Sequence, residues 1–401
     1  MTAPSPAPFK GFRDPVFGRY LVMRLLISMA TQMQAIAVGW QVYDLTGDPI
    51  ALALVGLAQF APIIPLMPVS GQLADRLDRR RIIQGSAVMY LGCMLGLALL
   101  PDVAGIWSIY AMLAVFGATR AFDHPAATAL LPRLVATEHI RAAVSLSSSV
   151  GQAAFIAGPA LGGALYAFGP LAVYGTAMAM VVGGLVAVSQ LPPVPPAHEG
   201  GERPSVFGGV AFIFSNQVIL GVMALDLFVV MVASATALLP IFAKDILEVG
   251  PWGLGVLRSA PAVGALMVGA WLAWRPIDRR AGQAFLWALT VYGIATALFG
   301  LSTNFFLSVA ALLLYGAADQ VSVIVRMSLI QLGTPDELRG RVAAANAMAV
   351  NLSNQLGSLE AGLAAAWLGA PGALLLGGAL TLALSASGAA VFPKLRKVDR
   401  L

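Results

Sequence analysis

The chain has 401 residues, of which 59% are hydrophobic and only 11% charged, and its formal net charge at pH 7 is +5. A soluble domain carries roughly 25% charged residues, so this composition excludes a water-soluble globular fold, whose surface would be too apolar to stay in solution. The single cysteine, Cys93, excludes an internal disulfide.

Twelve apolar runs follow one another along the chain, each close to the roughly 20 residues that a helix needs to cross a bilayer. We expect them to be transmembrane helices, because a helix satisfies all its backbone hydrogen bonds within lipid. The predicted spans are 18–43, 49–72, 82–100, 104–122, 142–167, 170–191, 217–241, 252–274, 282–301, 304–326, 343–368 and 371–392.

The basic residues between these runs predict the orientation of the chain. If the helices alternate in direction, almost all the lysines and arginines of the loops and termini fall on one face, with Lys244 as the exception. The positive-inside rule makes that face cytoplasmic, so we expect both termini in the cytoplasm. The positive net charge is therefore interpreted as a topology signal, and nucleic acid is not expected as a partner.

A polar, proline-rich stretch after Leu191 divides the chain. It predicts a cytoplasmic linker, 192–215, between an N-terminal six-helix bundle, 1–191, and a C-terminal six-helix bundle, 216–401. The two halves align at a constant offset of 199 residues; for example, Gly158 aligns with Gly357. Such a repeat predicts two pseudo-symmetric bundles that rock against each other around a central site. The predicted fold class is an all-α membrane protein with twelve transmembrane helices.

A charged motif that begins with a glycine connects the second and third spans, with the sequence GQLADRLDRRR. This motif resembles the signature of the major facilitator superfamily at the same topological position, with Asp78 where the general pattern has glycine. The signature residues are Gly71, Asp75, Arg76, Arg79 and Arg80. The resemblance implies that Asp75 lies near the start of helix 11, the eleventh predicted span (343–368). It also implies that Arg79 bridges Asp75 to an acid at the cytoplasmic end of helix 4, the fourth span (104–122), where Asp123 is available. The alternative is a solvated basic loop without a latch.

Two further motifs resemble particular branches of that superfamily. Asp78 and the segment 331–342 after the tenth span are similar to the drug-efflux and enterobactin-exporter branch. In the fifth span, four residues resemble the core of the motif associated with antiporters, although Ala154 stands where a glycine is expected. These four residues are Gly158, Pro159, Gly162 and Gly163.

The resemblance implies a secondary transporter, most simply a proton-driven exporter. Its cargo would be a small amphipathic organic molecule, either a siderophore or a drug-like compound, moved across the bacterial inner membrane by a monomer. Two alternatives stay open: an uptake or facilitative transporter, and a membrane sensor with this fold that does not transport.

Four of the ionisable residues inside the predicted spans form a pattern. Each costs roughly 2.5–3.5 kcal/mol on membrane-insertion scales, so each is a candidate for function. Arg24 lies in helix 1, Arg120 in helix 4, Asp226 in helix 7 and Asp319 in helix 10. The fold implied by the resemblance lines its central cavity with these helices. We expect all four residues in the cytoplasmic third, forming a gate that opens when Asp226 or Asp319 takes up a proton. The alternative is that the arginines only snorkel to the membrane surface.

A second set of intramembrane charges comprises Arg258 in helix 8 and Glu360 in helix 11. The two side chains would pair within the C-terminal half, or Glu360 would bind the substrate or a proton.

The sequence gives no indication of catalysis or of a cofactor. The three histidines lie near loops and, with one cysteine, form no metal-binding pattern; no phosphate-binding GxxxxGK[ST] loop occurs. We therefore expect neither an enzyme nor a metalloprotein, and the predicted partners are a small-molecule substrate, protons and the lipid bilayer.

Overall fold

The computed structural model describes the backbone of residues 14–194, 206–277, 279–396 and 398. It also describes their side chains, apart from those at 67–68, 71–72, 74–76, 102 and 206–208.

The described residues fold into α-helices joined by short turns. The first eight helices are α1 Pro15–Thr46, α2 Pro49–Phe60, α3 Ile63–Arg76, α4 Arg79–Leu99, α5 Pro101–Ala104, α6 Ile106–Leu134, α7 Ile140–Tyr166 and α8 Pro170–Ser189. The next eight are α9 Val206–Ser215, α10 Gln217–Val232, α11 Leu239–Ile241, α12 Gly250–Trp274, α13 Ala281–Leu301, α14 Phe305–Gly333, α15 Asp336–Val391 and α16 Pro393–Arg396.

Within those ranges, nine helices are long and apolar enough to cross a membrane. The prediction of an all-helical membrane protein is thereby confirmed. The predicted number of twelve transmembrane helices stays a prediction. α6 and α7 are not among the nine, and the bent helix α15 is counted as one span. The bend in α15 lies at Gly369, whose φ of 72° is a left-handed conformation that glycine adopts without strain.

Two predicted spans are interrupted. The run 49–72 divides into α2 and α3 around Pro62, and Pro65 follows one turn later. A proline has no backbone N–H and clashes with the preceding turn, which accounts for a break there. The run 217–241 ends as a regular helix at Val232 and continues as a 3₁₀ turn, a short helix and a π-helical turn up to Ile246.

Two other helices extend beyond their predicted ends. α6 continues to Leu134 and α14 to Gly333, and each is 29 residues long. The predicted ends were placed where the apolar run stops, but helical hydrogen bonding continues through polar residues. This places Arg120 and Asp319 at the midpoints of these longer helices, and their predicted place in the cytoplasmic third of the membrane stays a prediction.

The chain divides into two compact units. The first comprises the described residues up to Leu45 together with 57–194, and the second comprises Thr46–Gly56 together with the described residues from 206 onward. The predicted domain limits stay a prediction, because 195–205 of the predicted linker lie outside the described residues.

Each unit has its own apolar core. In the first unit, Phe17, Tyr90 and Phe116 are at most 2% exposed, and the rings of Tyr90 and Phe116 lie 4.8 Å apart. In the second unit, Phe242 and Phe299 are fully buried, with ring centroids 4.4 Å apart. Aromatic pairs at this spacing add attraction beyond the burial of apolar area, which stabilises helix packing where lipid supplies no hydrophobic drive between helices.

Glycines at equivalent positions of the repeat permit close helix packing in both units. A Cβ on Gly158 of α7 would lie 2.6 Å from Cβ of Gln32 in α1, and one on Gly357 of α15 would lie 3.1 Å from Cα of Met231 in α10. Gln32 and Met231 are themselves separated by the 199-residue offset. The same helix contact therefore occurs once in each unit, as expected of duplicated packing.

Candidate functional site

A buried ion pair joins α10 to α14 in the second unit. Arg326 Nε lies 3.0 Å from Asp226 Oδ2, and the two residues are 4% and 3% exposed. The Ser322 hydroxyl donates to Asp226 Oδ1 at 2.7 Å, and Arg326 Nη1 donates to Asn346 Oδ1 at 2.6 Å. A pair that is removed from water needs such additional hydrogen bonds to offset its desolvation. The network connects three helices, α10, α14 and α15.

Asp319 lies beside this network on α14. It interacts electrostatically with both Asp226 and Arg326, and its backbone carbonyl is 2.9 Å from the Ser322 hydroxyl. The second unit therefore holds two carboxylates and one guanidinium in a single cluster. We call Asp226, Asp319, Ser322, Arg326 and Asn346 the α14 cluster.

Two tyrosines adjoin the α14 cluster where α10 ends. The Tyr292 hydroxyl donates to the Tyr315 hydroxyl, and the Tyr315 hydroxyl donates to the backbone carbonyl of Ala233 at 3.5 Å. Both tyrosines are within electrostatic range of Asp319. The carbonyl freed by the end of α10 is thus satisfied by a side chain, as a low-dielectric environment requires.

A different charge cluster lies in the first unit. The Tyr90 hydroxyl on α4 forms a hydrogen bond with the Asp123 carboxylate on α6, and Arg120 and Arg24 are the cations in electrostatic range of Asp123. Arg24 packs near Gly151 of α7, and its Nε has no hydrogen-bond partner among the described residues. We call Arg24, Tyr90, Arg120 and Asp123 the α6 cluster.

This position of Asp123 differs from the prediction. Asp123 lies well inside α6, eleven residues before the helix ends at Leu134, and not at the end of the helix. α6 extends through Pro125 and Pro132, although proline usually ends or kinks a helix. The latch from Arg79 to Asp123 stays a prediction, and the structure associates Asp123 with the α6 cluster.

The loop-motif arginines anchor the start of α4. Arg79 is 8% exposed and its Nη1 donates to the backbone carbonyl of Ala129 in α6 at 3.0 Å. Arg80 donates to the backbone carbonyl of Ser189 at the end of α8. Asp78, which replaces the glycine of the general pattern, accepts a hydrogen bond from the backbone N–H of Arg80 at 3.0 Å and so caps α4. A fully solvated loop is therefore the wrong interpretation for Arg79.

The remaining loop-motif residues lie at the end of α3. The helix continues through Gly71 and Asp75 to Arg76, but the side chains of these residues lie outside the described part of the structure. Their predicted contacts stay predictions.

The motif in α7 is buried as a block. Gly158, Pro159, Gly162 and Gly163 are all buried, and a Cβ on Gly162 would lie 3.0 Å from Cα of Met33. Side chains larger than hydrogen would force α7 away from α1. This gives the motif a packing role, whatever its part in transport.

The expected pair between Arg258 and Glu360 does not form. Over the residues it describes, the structure has no ion pair between the two, and Arg258 Nη1 instead donates to the backbone carbonyl of Thr236 at 3.3 Å. Thr236 lies in the 3₁₀ turn that follows the end of α10, where backbone carbonyls lack helical partners. The unpaired carbonyls of this turn explain why Arg258 bonds to Thr236 and not to Glu360. Glu360 is partly buried in α15, and its alternative role in binding substrate or protons stays a prediction.

Sequence reasoning missed Arg326, Ser322, Asn346 and Tyr90. A signal for two of them was present, because Ser322 and Arg326 follow Asp319 by three and seven residues and so share a face of α14. Arg326 is the last residue of the predicted span 304–326, where the apolar run stops. The gate predicted between Arg24, Arg120, Asp226 and Asp319 stays a prediction, and each of the four has neighbours of opposite charge within its own unit.

Comparisons with known proteins agree with this architecture. The bacterial "Enterobactin exporter EntS" from Shigella boydii serotype 18 (strain CDC 3083-94 / BS512) is 27% identical over 391 residues, which are 92% of each chain. Among solved structures, the nucleoside transporter NupG superposes with a TM-score of 0.73 at 13% identity, covering 94% of this chain and 99% of that one. A bacterial homolog of the human lysosomal transporter Spinster, in an inward-facing, unoccupied conformation, gives 0.72 at 14% identity, with 97% and 98% covered. These two likenesses establish the fold alone.

The family assignment comes from the sequence as a whole. The family model described as "Transmembrane secretion effector" matches residues 6–401. With the helical fold and the signature before α4, this match leaves one conclusion. The chain belongs to the transmembrane secretion effector family, and it is a multi-pass membrane transporter of the major facilitator type.

Proposed function

We propose that this chain is a monomeric exporter of the bacterial inner membrane, with both termini in the cytoplasm. It exchanges a small amphipathic organic molecule, siderophore-like or drug-like, for protons by alternating access. The direction and cargo are supported by the relatives named enterobactin exporter, 27% identical across 92% of the chain. The antiporter-like motif around Gly158 and the basic loops are consistent with this assignment.

The buried pair between Asp226 and Arg326 carries the proton-coupling part of the proposal. The pair is stable when both groups are charged, because each then compensates the other in a low-dielectric environment. When Asp226 takes up a proton the attraction is lost, while Arg326 keeps its hydrogen bond to Asn346. Proton uptake therefore weakens the contact between α10 and α14, where the hydrogen bond from Ser322 remains, and leaves α14 joined to α15. A change in helix contacts of this kind is what alternating access requires.

Asp319 gives the α14 cluster a second site for a proton. Two carboxylates close together disfavour simultaneous ionisation, so one proton shared between Asp226 and Asp319 lowers the repulsion in the cluster. The Tyr292 and Tyr315 hydroxyls lie within electrostatic range of Asp319 and are hydrogen-bonded to each other and to the end of α10. In this proposal the α14 cluster binds the proton, and the weakened attraction between Arg326 and Asp226 transmits the change to α10.

Transport by purified protein in liposomes tests the proposal. Enterobactin and the cationic dye ethidium serve as the siderophore-like and drug-like probes, with an imposed pH gradient as the driving force. We expect gradient-dependent flux of at least one probe by the wild type, and no dependence on the gradient for Asp226→Asn. The matched control is Asp336→Asn, which removes a carboxylate from the exposed ion pair with Arg339 and leaves the α14 cluster intact.

Each other outcome identifies a different function. Equal rates and equal pH dependence for Asp226→Asn and wild type would exclude Asp226 as the coupling group. Flux that ignores the gradient in the wild type would indicate a facilitator, and binding without flux would indicate a sensor.

A further inference from the structure

We propose that the second unit holds an anionic phospholipid in a groove between α13 and the segment 370–391 of α15. The groove has a volume of about 470 Å³, in the range of sites that bind small molecules. It is lined by four side chains of α13, four of α15 and Arg396 of α16. The inference is independent of the cargo and of the direction of transport.

The groove lies between two antiparallel helices. Deeper in the unit, glycines hold them close together: a Cβ on Gly293 would lie 3.1 Å from the carbonyl oxygen of Gly378, and one on Gly300 would lie 2.9 Å from Cβ of Leu374. Towards the start of α13, the small side chains of Ala386 and Ala389 leave the space between the helices unfilled.

Among the described residues, the hydroxyls on the floor of the groove, those of Thr290 and Ser385, both form hydrogen bonds. The Thr290 and Ser385 hydroxyls are 2.9 Å apart, and the Thr290 and Ser385 Oγ atoms lie 3.0 and 2.9 Å from the backbone carbonyl of Leu286. These contacts tie α13 to α15 and satisfy the hydroxyls internally. The interior therefore suits an apolar occupant, because it offers no donor or acceptor that would need to be matched.

The mouth of the groove is different, because it carries a cation and an amide. Arg396, at the end of α16, and Gln283, in the first turn of α13, have no side-chain hydrogen bond or ion pair among the described residues. Within the part of the chain that the structure describes, no acidic residue lines the groove. An anion with several acceptor oxygens fits these donors, and a phosphate has the required chemistry.

The mouth also lies at the level of lipid headgroups. α13 has 21 residues, just enough to cross the hydrocarbon core at 1.5 Å per residue, so its first turn reaches the membrane surface. Trp287, one turn further in, is 68% exposed, as expected of an aromatic side chain at the boundary between headgroups and acyl chains. An occupant with an anionic head at Gln283 and Arg396 and an apolar chain beside Leu286 and Leu382 is a phospholipid.

Thermal unfolding of the purified full chain in detergent tests this proposal. Dioleoyl phosphatidylglycerol and dioleoyl phosphatidylcholine have the same acyl chains, so their difference reports on the headgroup. We expect phosphatidylglycerol to raise the unfolding temperature of the wild type more than phosphatidylcholine does. Arg396→Gln should weaken phosphatidylglycerol binding about fivefold, equivalent to the ~1 kcal/mol of one basic residue near an anionic surface.

Two variants and one soluble probe complete the experiment. Ala386→Trp fills the groove and should abolish binding of phosphatidylglycerol, counted as retained lipid by native mass spectrometry. Arg275→Gln removes an exposed arginine outside the groove and should bind as the wild type does. Equal binding by Arg396→Gln and wild type, equal loss in Arg275→Gln, or equal stabilisation by glycerol 3-phosphate would each overturn the proposal.

Discussion

The middle of α6 and the middle of α14 occupy equivalent positions of the internal repeat but carry opposite charges. Gly117 of α6 and Gly316 of α14 align at the 199-residue offset, and each passes close to the backbone of a helix in its own unit. Three residues later, Arg120 aligns with Asp319. Duplication has therefore preserved the packing of these helices, while the charges beside the packing contact have diverged.

The divergence extends to the partners of these residues. The α6 cluster has two arginines around one aspartate, whereas the α14 cluster has two aspartates around one arginine. Asp123 aligns with Ser322, which donates to Asp226. Each cluster is partly neutralised within its own unit and keeps an excess of one sign. The comparison suggests that packing constrains a duplicated membrane protein more than charge does.

The largest effect is expected at the shared glycines. A Cβ on Gly117 would lie 1.8 Å from the backbone oxygen of Gln59, and one on Gly316 would lie 1.9 Å from that of Pro261. Because the obstructing atoms are backbone, Gly117→Val and Gly316→Val should both prevent correct folding, measured as loss of the monodisperse peak in size-exclusion chromatography.

Gly92→Val and Gly340→Val are the matched controls, because no atom of the described residues lies within 4 Å of a Cβ at either position. If Gly316→Val folded while Gly117→Val did not, the two units would not share this packing constraint.

A smaller effect is expected at the buried ion pair. Asp226→Ala leaves Arg326 charged and buried, and should lower the free energy of unfolding by about 3–5 kcal/mol. The double variant Asp226→Ala/Arg326→Met removes both charges and should recover much of that loss. The measurement is thermal unfolding of each variant in detergent.

The exposed pair of Asp336 and Arg339 provides the control. Its side chains are 81% and 53% exposed, and the N–O distance is 2.7 Å. Asp336→Ala should cost no more than about 1 kcal/mol, since water screens an exposed pair. A loss in Asp226→Ala as small as this would contradict the buried network.

The smallest effect is expected at Tyr90. Tyr90→Phe removes a hydrogen bond to a carboxylate in the α6 cluster, and should cost about 1.5–3 kcal/mol. Tyr174→Phe removes a bond of 2.9 Å to the neutral Gln41 and should cost about 0.5–1.5 kcal/mol. Equal unfolding temperatures for the two variants would indicate that Asp123 carries no charge in the folded protein.

The helices were predictable because a helix that crosses the bilayer needs a long run of apolar residues, which is visible in the sequence. The division near Gly369 and the repeat also follow from local signals, namely a glycine between two runs and a constant offset. The ends of α6 and α14 were not predictable from apolarity, because a helix continues wherever its backbone bonds are satisfied, including through Asp123 and Arg326.

The candidate site was predictable in its residues and not in its pairings. Arg24, Arg120, Asp226 and Asp319 were identified because charge is costly in lipid. Their partners depend on how the helices are rotated against one another, which one sequence does not specify. Arg258 illustrates this dependence, since it bonds the carbonyl of Thr236 and not the carboxylate of Glu360.

The end of α10 at Val232 has a mechanical consequence. A continuous helix must lose hydrogen bonds before it can bend, but here the chain is already unwound and the carbonyl of Ala233 is held by Tyr315. We expect residues 217–232 to move about this point as one rigid segment, because the helical hydrogen bonds are already interrupted there. Asp226 lies in that segment, six residues before its end at Val232, so a small rotation of the segment would move the carboxylate relative to α14.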